Sequence, residues 1–435
     1  PSRCTILTGR YPKNHGTRDN GIPLRDEELT FPQVLQANGY RTAAIGKMHF
    51  TTQFRPKVNE EDDWPEDRYG FEVVHTTCDT KTGEYLDWLK AKSPRDYEIV
   101  KMQGERKAKE DRASAADKDT SGPPQVYPSD VNPEYHQSAW IADRTIDLIN
   151  EADPDRPFFA LCSFVDPHHP FDPPAPYSTM YDPDKLAPPV CQEGELDDKP
   201  PHFRRHRTGR GFSNEKYDYR RLSAHDWGEV KAAYYGMISL VDYNVGRILD
   251  ALRQKGILDD TLILFTSDHG ELMGDHGLLF KGPFLYDCLI KAPMVVQWPG
   301  VVPKGARYAQ LTEHVDIMPT ILDYAGIRVP YGVQGMSMGP ILRGDSGAGR
   351  AFALTEFNCY DWGLNIKTIT SRDYKLTYYA GERFGELYDR NADPDEFVNH
   401  WDDPDYADVK AELLKQLTDR IIETEDTLPI RIGKY

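Results

Sequence analysis

The residues best suited to chemistry stand in one short stretch just past the middle of the chain. Segment 266–277 contains three acidic residues, two histidines and three glycines. The residues directly before it, 261–265, are nearly all apolar and are typical of a buried parallel strand. In an open α/β sheet, ligands bind outside the carboxyl ends of the strands. Asp268 and His269 are therefore expected to hold a metal ion or to form a catalytic pair.

Two other predicted strands end in polar residues of the same kind. Lys47 and His49 follow one predicted strand, and His168 and His169 follow another. Lys281 lies downstream of the opening segment. Because the carboxyl ends of parallel strands meet at one edge of a sheet, these side chains are expected to converge on one site.

With Arg3 added, the set suits a tetrahedral oxyanion. The cationic side chains of Arg3, Lys47 and Lys281 would neutralise its charge. A metal ion bound to Asp268 and His269 would polarise it, and the histidines would move protons. The combination predicts an enzyme that binds an oxyanion and transfers it.

The elements that position these residues alternate between strand and helix. This order predicts an α/β fold with a mainly parallel central sheet covered by helices on both faces. We predict a catalytic α/β domain over residues 1–348, with a polar insertion at about 51–133. Short strand candidates then follow one another closely, which predicts a small C-terminal α+β subdomain with an antiparallel sheet over residues 349–435.

Composition excludes several classes of protein. The 435 residues carry a formal net charge of -18, which argues against nucleic-acid binding but allows a local cationic pocket. No run of about 18 apolar residues occurs, so no membrane-spanning helix is predicted. The six cysteines are widely separated, which favours neither a disulfide framework nor a cysteine metal site.

Several segments resemble the motifs of the sulfatase family. Residues 1–10 resemble the end of its signature Cys-x-Pro-Ser-Arg-x-x-x-Leu-Thr-Gly-Arg. Residues 46–49 resemble its Gly-Lys-x-His, and residues 167–171 resemble its Pro-His-x-Pro-Phe. The segment from Ser267 to Lys281 is similar to the family's metal-binding segment with its downstream lysine. The resemblance implies an alkaline-phosphatase-like fold and hydrolysis of sulfate esters.

The resemblance also implies roles for single residues. Arg3 would hold the oxygens of the nucleophile, and Lys47 and Lys281 would bind those of the sulfate. His49 would assist the formylglycine nucleophile. His168 would contact the sulfate or protonate the leaving alcohol.

Four more residues receive roles in the same way. His169 would lie behind His168 or face the substrate, and His276 would contact the substrate or serve the structure alone. Asp268 and His269 would ligate one divalent metal ion. Carboxylate oxygens suit Ca²⁺, which is the expected ion, whereas an imidazole ligand suits Mn²⁺ or Zn²⁺ better and keeps these as alternatives.

The nucleophile of the family stands two residues before the position of Pro1. In the family it is a Cys or Ser converted to formylglycine, whose hydrate attacks sulfur with metal assistance. We therefore expect the chain to be N-terminally truncated, to lack the first strand with its metal-binding carboxylates, and to be inactive alone. Cys4 is interpreted as a small packed residue.

Three functions remain open on this sequence. The leading hypothesis is a sulfatase acting on a sulfated small molecule or a sulfated carbohydrate. The first alternative is a phosphonate monoester or phosphodiester hydrolase of the same superfamily, and the second is a non-catalytic anion-binding relative. The resemblance favours a periplasmic or secreted location, with the cytoplasm as the alternative, and the oligomeric state is left open.

Overall fold

The computed structural model describes residues 1–51, 67–112, 122–210, 217–345 and 347–426. The chain forms two compact units. The first unit comprises Pro1–Val34, Leu264–Gly270 and Leu285–Tyr435, and the second comprises Leu35–Ile263 and Glu271–Phe284. The domain boundary after residue 348 stays a prediction.

The helices and strands have the following bounds. The α-helices are α1 (Ser2–Thr8), α2 (Pro12–His15), α3 (Phe31–Ala37), α4 (Glu84–Lys92), α5 (Pro94–Arg112), α6 (Gln137–Asn150), α7 (Pro201–Arg207), α8 (Ala224–Lys255), α9 (Asp287–Ile290), α10 (Ile317–Tyr324), α11 (Gly339–Leu342) and α12 (Ala407–Glu423). The strands are β1 (Arg41–Gly46), β2 (Val73–Thr76), β3 (Phe158–Ser163), β4 (Ile263–Thr266), β5 (Met294–Gln297), β6 (Ala353–Cys359), β7 (Leu364–Thr370), β8 (Tyr374–Tyr379) and β9 (Gly385–Asp389).

A three-stranded parallel sheet forms the centre of the second unit. Its order is β2-β1-β3, and both neighbours of β1 run parallel to it. Ala43 and Ile45 of β1 are fully buried and pack in one cluster with Trp140 and Ile141 of α6. The sheet therefore holds the ends of β1, β2 and β3 at one edge, which is where ligands bind in parallel sheets.

β2 shows that the predicted polar insertion is only partly an insertion. It extends the parallel sheet, and α4 and α5 bury Tyr85, Leu89 and Val100 against the same core cluster. The strand was not predicted because its four residues are few and are flanked by charged segments. Residues 52–66 and 113–121 of this stretch lie outside the described part of the chain.

The first unit contains a two-stranded sheet of β4 and β5 and a four-stranded antiparallel sheet in the order β6-β7-β8-β9. Leu413 and Leu417 of α12 pack with Ile369, Leu376 and Leu387 of the antiparallel sheet. The antiparallel sheet of β6 to β9 was predicted for the C-terminal part of the chain. Together with the parallel sheet of the second unit, it confirms the predicted α/β fold class.

β4 corrects the expectation of one common sheet edge for three strand ends. Within the described residues, β4 has β5 as its strand neighbour, whereas β1 and β3 lie side by side in another sheet. β4 is also less buried than predicted, since Phe265 is 44% exposed. The expected shared edge is thus observed for β1 and β3, and β2 joins them.

No helix in the described part of the chain is long and apolar enough to cross a membrane.

Candidate functional site

The predicted site residues fall into two groups, one in each compact unit. The group in the second unit consists of Lys47, His49, His168, His169 and Lys281. The group in the first unit consists of Arg3, Asp268 and His269.

Lys47 is positioned by a glycine at the end of β1. Gly46 has a φ of 97°, a conformation that favours glycine. A Cβ atom there would lie 2.0 Å from the backbone oxygen of Ser163 in β3. The same oxygen accepts a 2.9 Å hydrogen bond from the backbone N–H of Lys47. The close approach of β1 and β3 therefore requires glycine and sets the direction in which Lys47 leaves the sheet.

His49 is held in an unusual backbone conformation. Its φ is 58°, which is uncommon for a residue other than glycine and costs conformational energy. Its neighbours Met48 and Phe50 are buried in the core with exposed fractions of 0% and 1%. Because these two side chains anchor the backbone on either side, the Cα–Cβ bond of His49 points in a fixed direction.

His168 and Lys281 form a direct hydrogen bond across the second unit. Lys281 Nζ lies 3.0 Å from His168 Nε2, and His168 Nδ1 lies 2.6 Å from the backbone oxygen of His169. A lysine ammonium group can only donate, so Nε2 accepts and Nδ1 carries the proton of the neutral ring. Side chains 113 residues apart in the sequence are therefore in direct contact.

The charge of His168 follows from its surroundings. Burial, reinforced by the positive charge of Lys281, holds the pKa of His168 well below its usual range. The positive charges of His169 and Lys47 lower this pKa further. His168 is consequently neutral at pH 7.

His169 faces apolar neighbours as well as His168. Its ring stacks on that of His168 with 4.2 Å between centroids and lies 4.4 Å from the ring of Phe280. Phe171 contacts it edge-on at 6.3 Å. This packing agrees with a place behind His168, and its role toward a substrate stays a prediction.

Asp79 is a member of this group that sequence reasoning missed. It follows β2, and its Oδ1 lies 3.7 Å from His49 Nε2. Burial alone would raise the pKa of Asp79, but the positive charges of Lys47 and His49 outweigh it and hold this pKa below its usual range. The residue was overlooked because its strand was assigned to a polar insertion. Recognising β2 as a third parallel strand would have found it.

His276 is paired elsewhere in the second unit. Its Nδ1 lies 3.0 Å from Glu195 Oε2, and both side chains are almost fully buried. This pair accounts for His276 as a structural residue of the loop, which was one of the two interpretations. A contact between His276 and substrate stays a prediction.

Arg3 and Asp268 meet in the first unit. Arg3 Nε donates a hydrogen bond of 2.8 Å to Asp268 Oδ2, and both side chains are about four-fifths buried, at 19% and 23% exposed. Arg3 lies in the first turn of α1, in which Cys4 is fully buried, as predicted for a packed residue. The arginine thus binds one carboxylate oxygen of Asp268.

His269 has the geometry of a metal ligand. Its Nδ1 donates to the backbone oxygen of Gly270 at 2.7 Å, which leaves the lone pair on Nε2. Nε2 lies 3.8 Å from Asp268 Oδ1, a separation that two ligands of one divalent cation can have. Within the described residues, no group of three or more His, Cys, Asp or Glu side chains could hold a metal ion. The donor types and the spacing of Asp268 and His269 fit two ligands of one divalent cation.

Backbone packing positions this pair. A Cβ atom on Gly270 would lie 1.8 Å from the backbone oxygen of Cys288, and the Gly270 N–H donates to Leu289 at 2.7 Å. The chain can therefore turn directly after His269 only because residue 270 is glycine.

His314 is a second residue that sequence reasoning missed. Its Nε2 lies 2.9 Å from the backbone oxygen of Ser267, the residue before Asp268. Burial lowers the pKa of His314, so the ring is neutral and Nε2 carries a donating proton. Asp268 raises this pKa and Arg3 lowers it, but burial outweighs both. A single histidine outside any recognised motif gave no signal in the sequence.

The chain combines an α/β fold with two groups of charged and histidine side chains, one in each unit, and comparison with known proteins identifies its family. The family model described as Sulfatase matches residues 1–327. A second model, described as N-sulphoglucosamine sulphohydrolase, C-terminal, matches residues 274–423. The chain belongs to the sulfatase family and is a sulfuric ester hydrolase.

Individual relatives agree with this assignment. The chain is 28% identical to an arylsulfatase of Clostridium perfringens, with 96% of this chain and 84% of the relative covered. It is 24% identical to an N-acetylglucosamine-6-O-sulfatase of Bacteroides thetaiotaomicron, with 99% of this chain and 78% of the relative covered. Among solved structures it resembles the phosphonate monoester hydrolase of Silicibacter pomeroyi, with a TM-score of 0.79 and 26% sequence identity. The match covers 98% of this chain and 86% of the solved chain. Sulfatases in general use a divalent metal ion and a formylglycine residue.

Proposed function

We propose that the protein hydrolyses sulfate monoesters and that Lys47, His168 and Lys281 bind the sulfate group. The observation that carries this proposal is the 3.0 Å hydrogen bond from Lys281 Nζ to His168 Nε2, with Lys47 close enough to lower the pKa of His168. Ammonium groups donate hydrogen bonds in several directions, which suits the oxygens of a tetrahedral anion.

The charges of this group match the charge that hydrolysis redistributes. A sulfate monoester carries one negative charge, which moves toward the bridging oxygen as the S–O bond breaks. Lys47 is 5% exposed and therefore acts in surroundings where electrostatic interactions are stronger than in water. Preorganised cations of this kind stabilise developing negative charge in a transition state.

The leaving alcohol needs a proton, and the Lys281–His168 pair can deliver it. Without substrate, the proton between the two side chains belongs to Lys281, because His168 is neutral. The negative charge of a bound sulfate ester favours the imidazolium form. His168 can then take up a proton at Nε2 and present it to the alcohol oxygen.

We infer that Asp268 and His269 ligate one divalent metal ion, in agreement with the family's general use of such an ion. When bound, the ion would act as a Lewis acid toward the ester and the nucleophile. Arg3 donates to Oδ2 of Asp268, and Oδ1 is the oxygen that lies 3.8 Å from His269 Nε2. We propose Ca²⁺ because of the carboxylate ligand, with Mn²⁺ or Zn²⁺ as alternatives because of the imidazole.

Metal analysis of the full-length protein tests this ligand pair. Elemental analysis should find about one divalent ion per chain in the wild type and a clear loss in Asp268→Ala and His269→Ala variants. His225→Ala, which replaces an exposed histidine of α8, is the matched control and should keep the ion. Equal metal content in all four proteins would refute the ligand assignment.

We propose a sulfated carbohydrate as the substrate class, with other sulfated small molecules as alternatives. The support is the similarity to the N-acetylglucosamine-6-O-sulfatase, a protein that acts on a sulfated amino sugar. Release of sulfate from a panel of sulfated monosaccharides and aryl sulfates would rank these substrates by kcat/KM.

A second candidate function is favoured by one observation. The solved structure with a TM-score of 0.79 is a phosphonate monoester hydrolase, and this chain is 26% identical to it. Both activities need an oxyanion-binding group and a metal, so the fold does not separate them.

The reaction class is tested on the full-length protein with three matched esters. Aryl sulfate, aryl phosphonate monoester and bis-aryl phosphodiester would be compared by kcat/KM under identical metal conditions. We expect the sulfate ester to be preferred by at least about tenfold, which corresponds to roughly 1.4 kcal/mol of transition-state stabilisation. A larger kcat/KM for the phosphonate or the diester would replace the proposed function by the second candidate.

A further inference from the structure

A carboxylate lies among the cationic side chains of the second unit. Asp79 follows β2, the parallel neighbour of β1, whose end carries Lys47 and His49. The titratable groups that face Asp79 are Lys47, His49 and His169. A carboxylate is not expected to bind a sulfate group, because the two negative charges repel each other. Its presence in this group therefore requires another explanation.

The geometry relates Asp79 to His49. Asp79 Oδ1 lies 3.7 Å from His49 Nε2, and the two side chains are 22% and 28% exposed. Oδ1 is buried and accepts no hydrogen bond within the described part of the chain. Leaving a buried acceptor unsatisfied is unfavourable. A movement of about 1 Å or less would bring His49 Nε2–H into hydrogen-bond distance of Oδ1.

The backbone of His49 does not by itself set the orientation of the ring. The φ of 58° and the buried neighbours Met48 and Phe50 fix the direction of the Cα–Cβ bond. The torsions of the side chain still allow the ring to rotate. An acceptor on one side of the ring selects a single orientation and determines which nitrogen carries a proton.

We propose that Asp79 is a positioning residue that orients the His49 imidazole and stabilises its protonated form. This inference rests on the proposed function, because His49 has a role only in hydrolysis of the sulfate ester. The carboxylate attracts the positive charge of the imidazolium, as it does in other carboxylate–histidine pairs. Asp79 itself does not contact the sulfate group.

The test uses Asp79→Asn in the full-length, metal-loaded enzyme with an aryl sulfate substrate. The asparagine keeps the shape and removes the charge. We expect kcat to fall about tenfold or more while KM changes by less than about threefold, because misorientation of a catalytic group affects the reaction rather than binding. Asp79→Glu should recover part of kcat. Asp87→Asn, an exposed carboxylate change on α4, is the control and should leave both constants unchanged.

A titration provides a readout that does not depend on activity. The ring nitrogens of His49 would be followed by NMR against pH in wild type and Asp79→Asn, with assignment from a His49→Gln variant. Loss of the carboxylate removes a charge that favours imidazolium, so His49 should lose its proton at lower pH in Asp79→Asn. Lys47 and His169 are present in both proteins and cancel in the comparison. Thermal unfolding would confirm that each variant is folded.

The outcomes separate this inference from the proposed function. If wild type hydrolyses the aryl sulfate but Asp79→Asn keeps its kcat and its His49 titration, the inference is wrong and the proposed function stands. A change in KM alone would also overturn it, since that result indicates substrate recognition by Asp79. If wild type hydrolyses no sulfate ester, the proposed function fails, and the titration still decides whether Asp79 and His49 are paired.

Discussion

At the scale of single residues, the most informative contact is that between Lys281 and His168. Two effects lower the pKa of the His168 imidazole. Burial disfavours its charged form, and the ammonium group of Lys281 repels a second positive charge. The hydrogen bond of His168 Nδ1 to the backbone of His169 then fixes the tautomer. The histidine is thereby held as a neutral hydrogen-bond acceptor for Lys281.

The first prediction concerns the protonation of His168. In Lys281→Met the repelling charge is lost, so the pKa of His168 should rise toward its usual range, although burial, the larger cause, still keeps it low. NMR titration of the ring in the substrate-free protein measures this change. Lys185→Met removes an exposed lysine and is the control. An unchanged His168 titration in Lys281→Met would contradict the pairing.

At the scale of elements, two glycines determine where the candidate residues leave their strands. Gly46 permits β1 and β3 to approach where Lys47 begins, and Gly270 permits the turn after His269. In each case a Cβ atom would meet a backbone oxygen within 2.0 Å. These positions explain in physical terms why glycine precedes Lys47 and follows His269.

The second prediction follows from the position of Gly46. Gly46→Ala must separate β1 from β3 and should displace Lys47, so we expect a loss of about 2 kcal/mol or more in the free energy of unfolding. The kcat/KM for a sulfate ester should fall at least about tenfold, because small misplacements of a binding group are costly. Gly104→Ala in α5 is the control, since no atom lies within 4 Å of its added Cβ. Denaturant unfolding that shows Gly46→Ala as stable as Gly104→Ala would refute this argument.

The third prediction concerns the segment before the proposed metal ligands Asp268 and His269. His314 donates to the backbone of Ser267 and should hold the adjacent Asp268 in place. We expect His314→Ala to weaken divalent metal binding about 10- to 100-fold, as changes behind metal ligands do elsewhere. Isothermal titration calorimetry of the metal-stripped full-length protein measures this affinity, with His225→Ala as the control. Equal affinities in His314→Ala and wild type would show that His314 has no such role.

At the scale of the whole molecule, buried neutral histidines make stability depend on pH. Burial lowers the pKa of His15 and of His136 to about 3 and that of His202 to about 4, and His168 is also strongly lowered. In the unfolded chain each of these groups titrates near pH 6.5. The unfolded state therefore binds more protons than the folded state below that pH, and stability falls as the solution becomes acidic.

The fourth prediction gives this dependence a magnitude. Between pH 6.5 and 5, each buried histidine should lower the free energy of unfolding by up to about 2 kcal/mol. Chemical denaturation across this range measures the slope of the free energy of unfolding against pH. Replacing His202 with glutamine should reduce the slope by about one proton, whereas replacing exposed His225, whose pKa is raised by Asp184, should not reduce it. A free energy of unfolding that is constant from pH 7 to pH 5 would contradict the burial of these rings.

Much of the fold and part of the candidate site were predictable from the sequence. Apolar runs predicted β1 and β3, and the polar residues directly after them predicted the group that contains Lys47 and His168. Asp79 escaped because β2 is short and lies between charged segments, so its apolar pattern is weak. His314 escaped because only packing in three dimensions brings it to Ser267. Residues that lie behind catalytic groups carry little local signal, since their types are also common in ordinary structure.

The central claim is that the lysines of the second unit stabilise the charge of a sulfate ester during its hydrolysis. Its most direct test is the kcat/KM of the full-length enzyme for an aryl sulfate in Lys47→Met, Lys281→Met and the exposed control Lys185→Met. We predict a loss of at least about a hundredfold in the first two variants, the size expected for removal of one preorganised charge, and no change in the control. Wild-type kcat/KM in Lys47→Met and Lys281→Met would contradict the account.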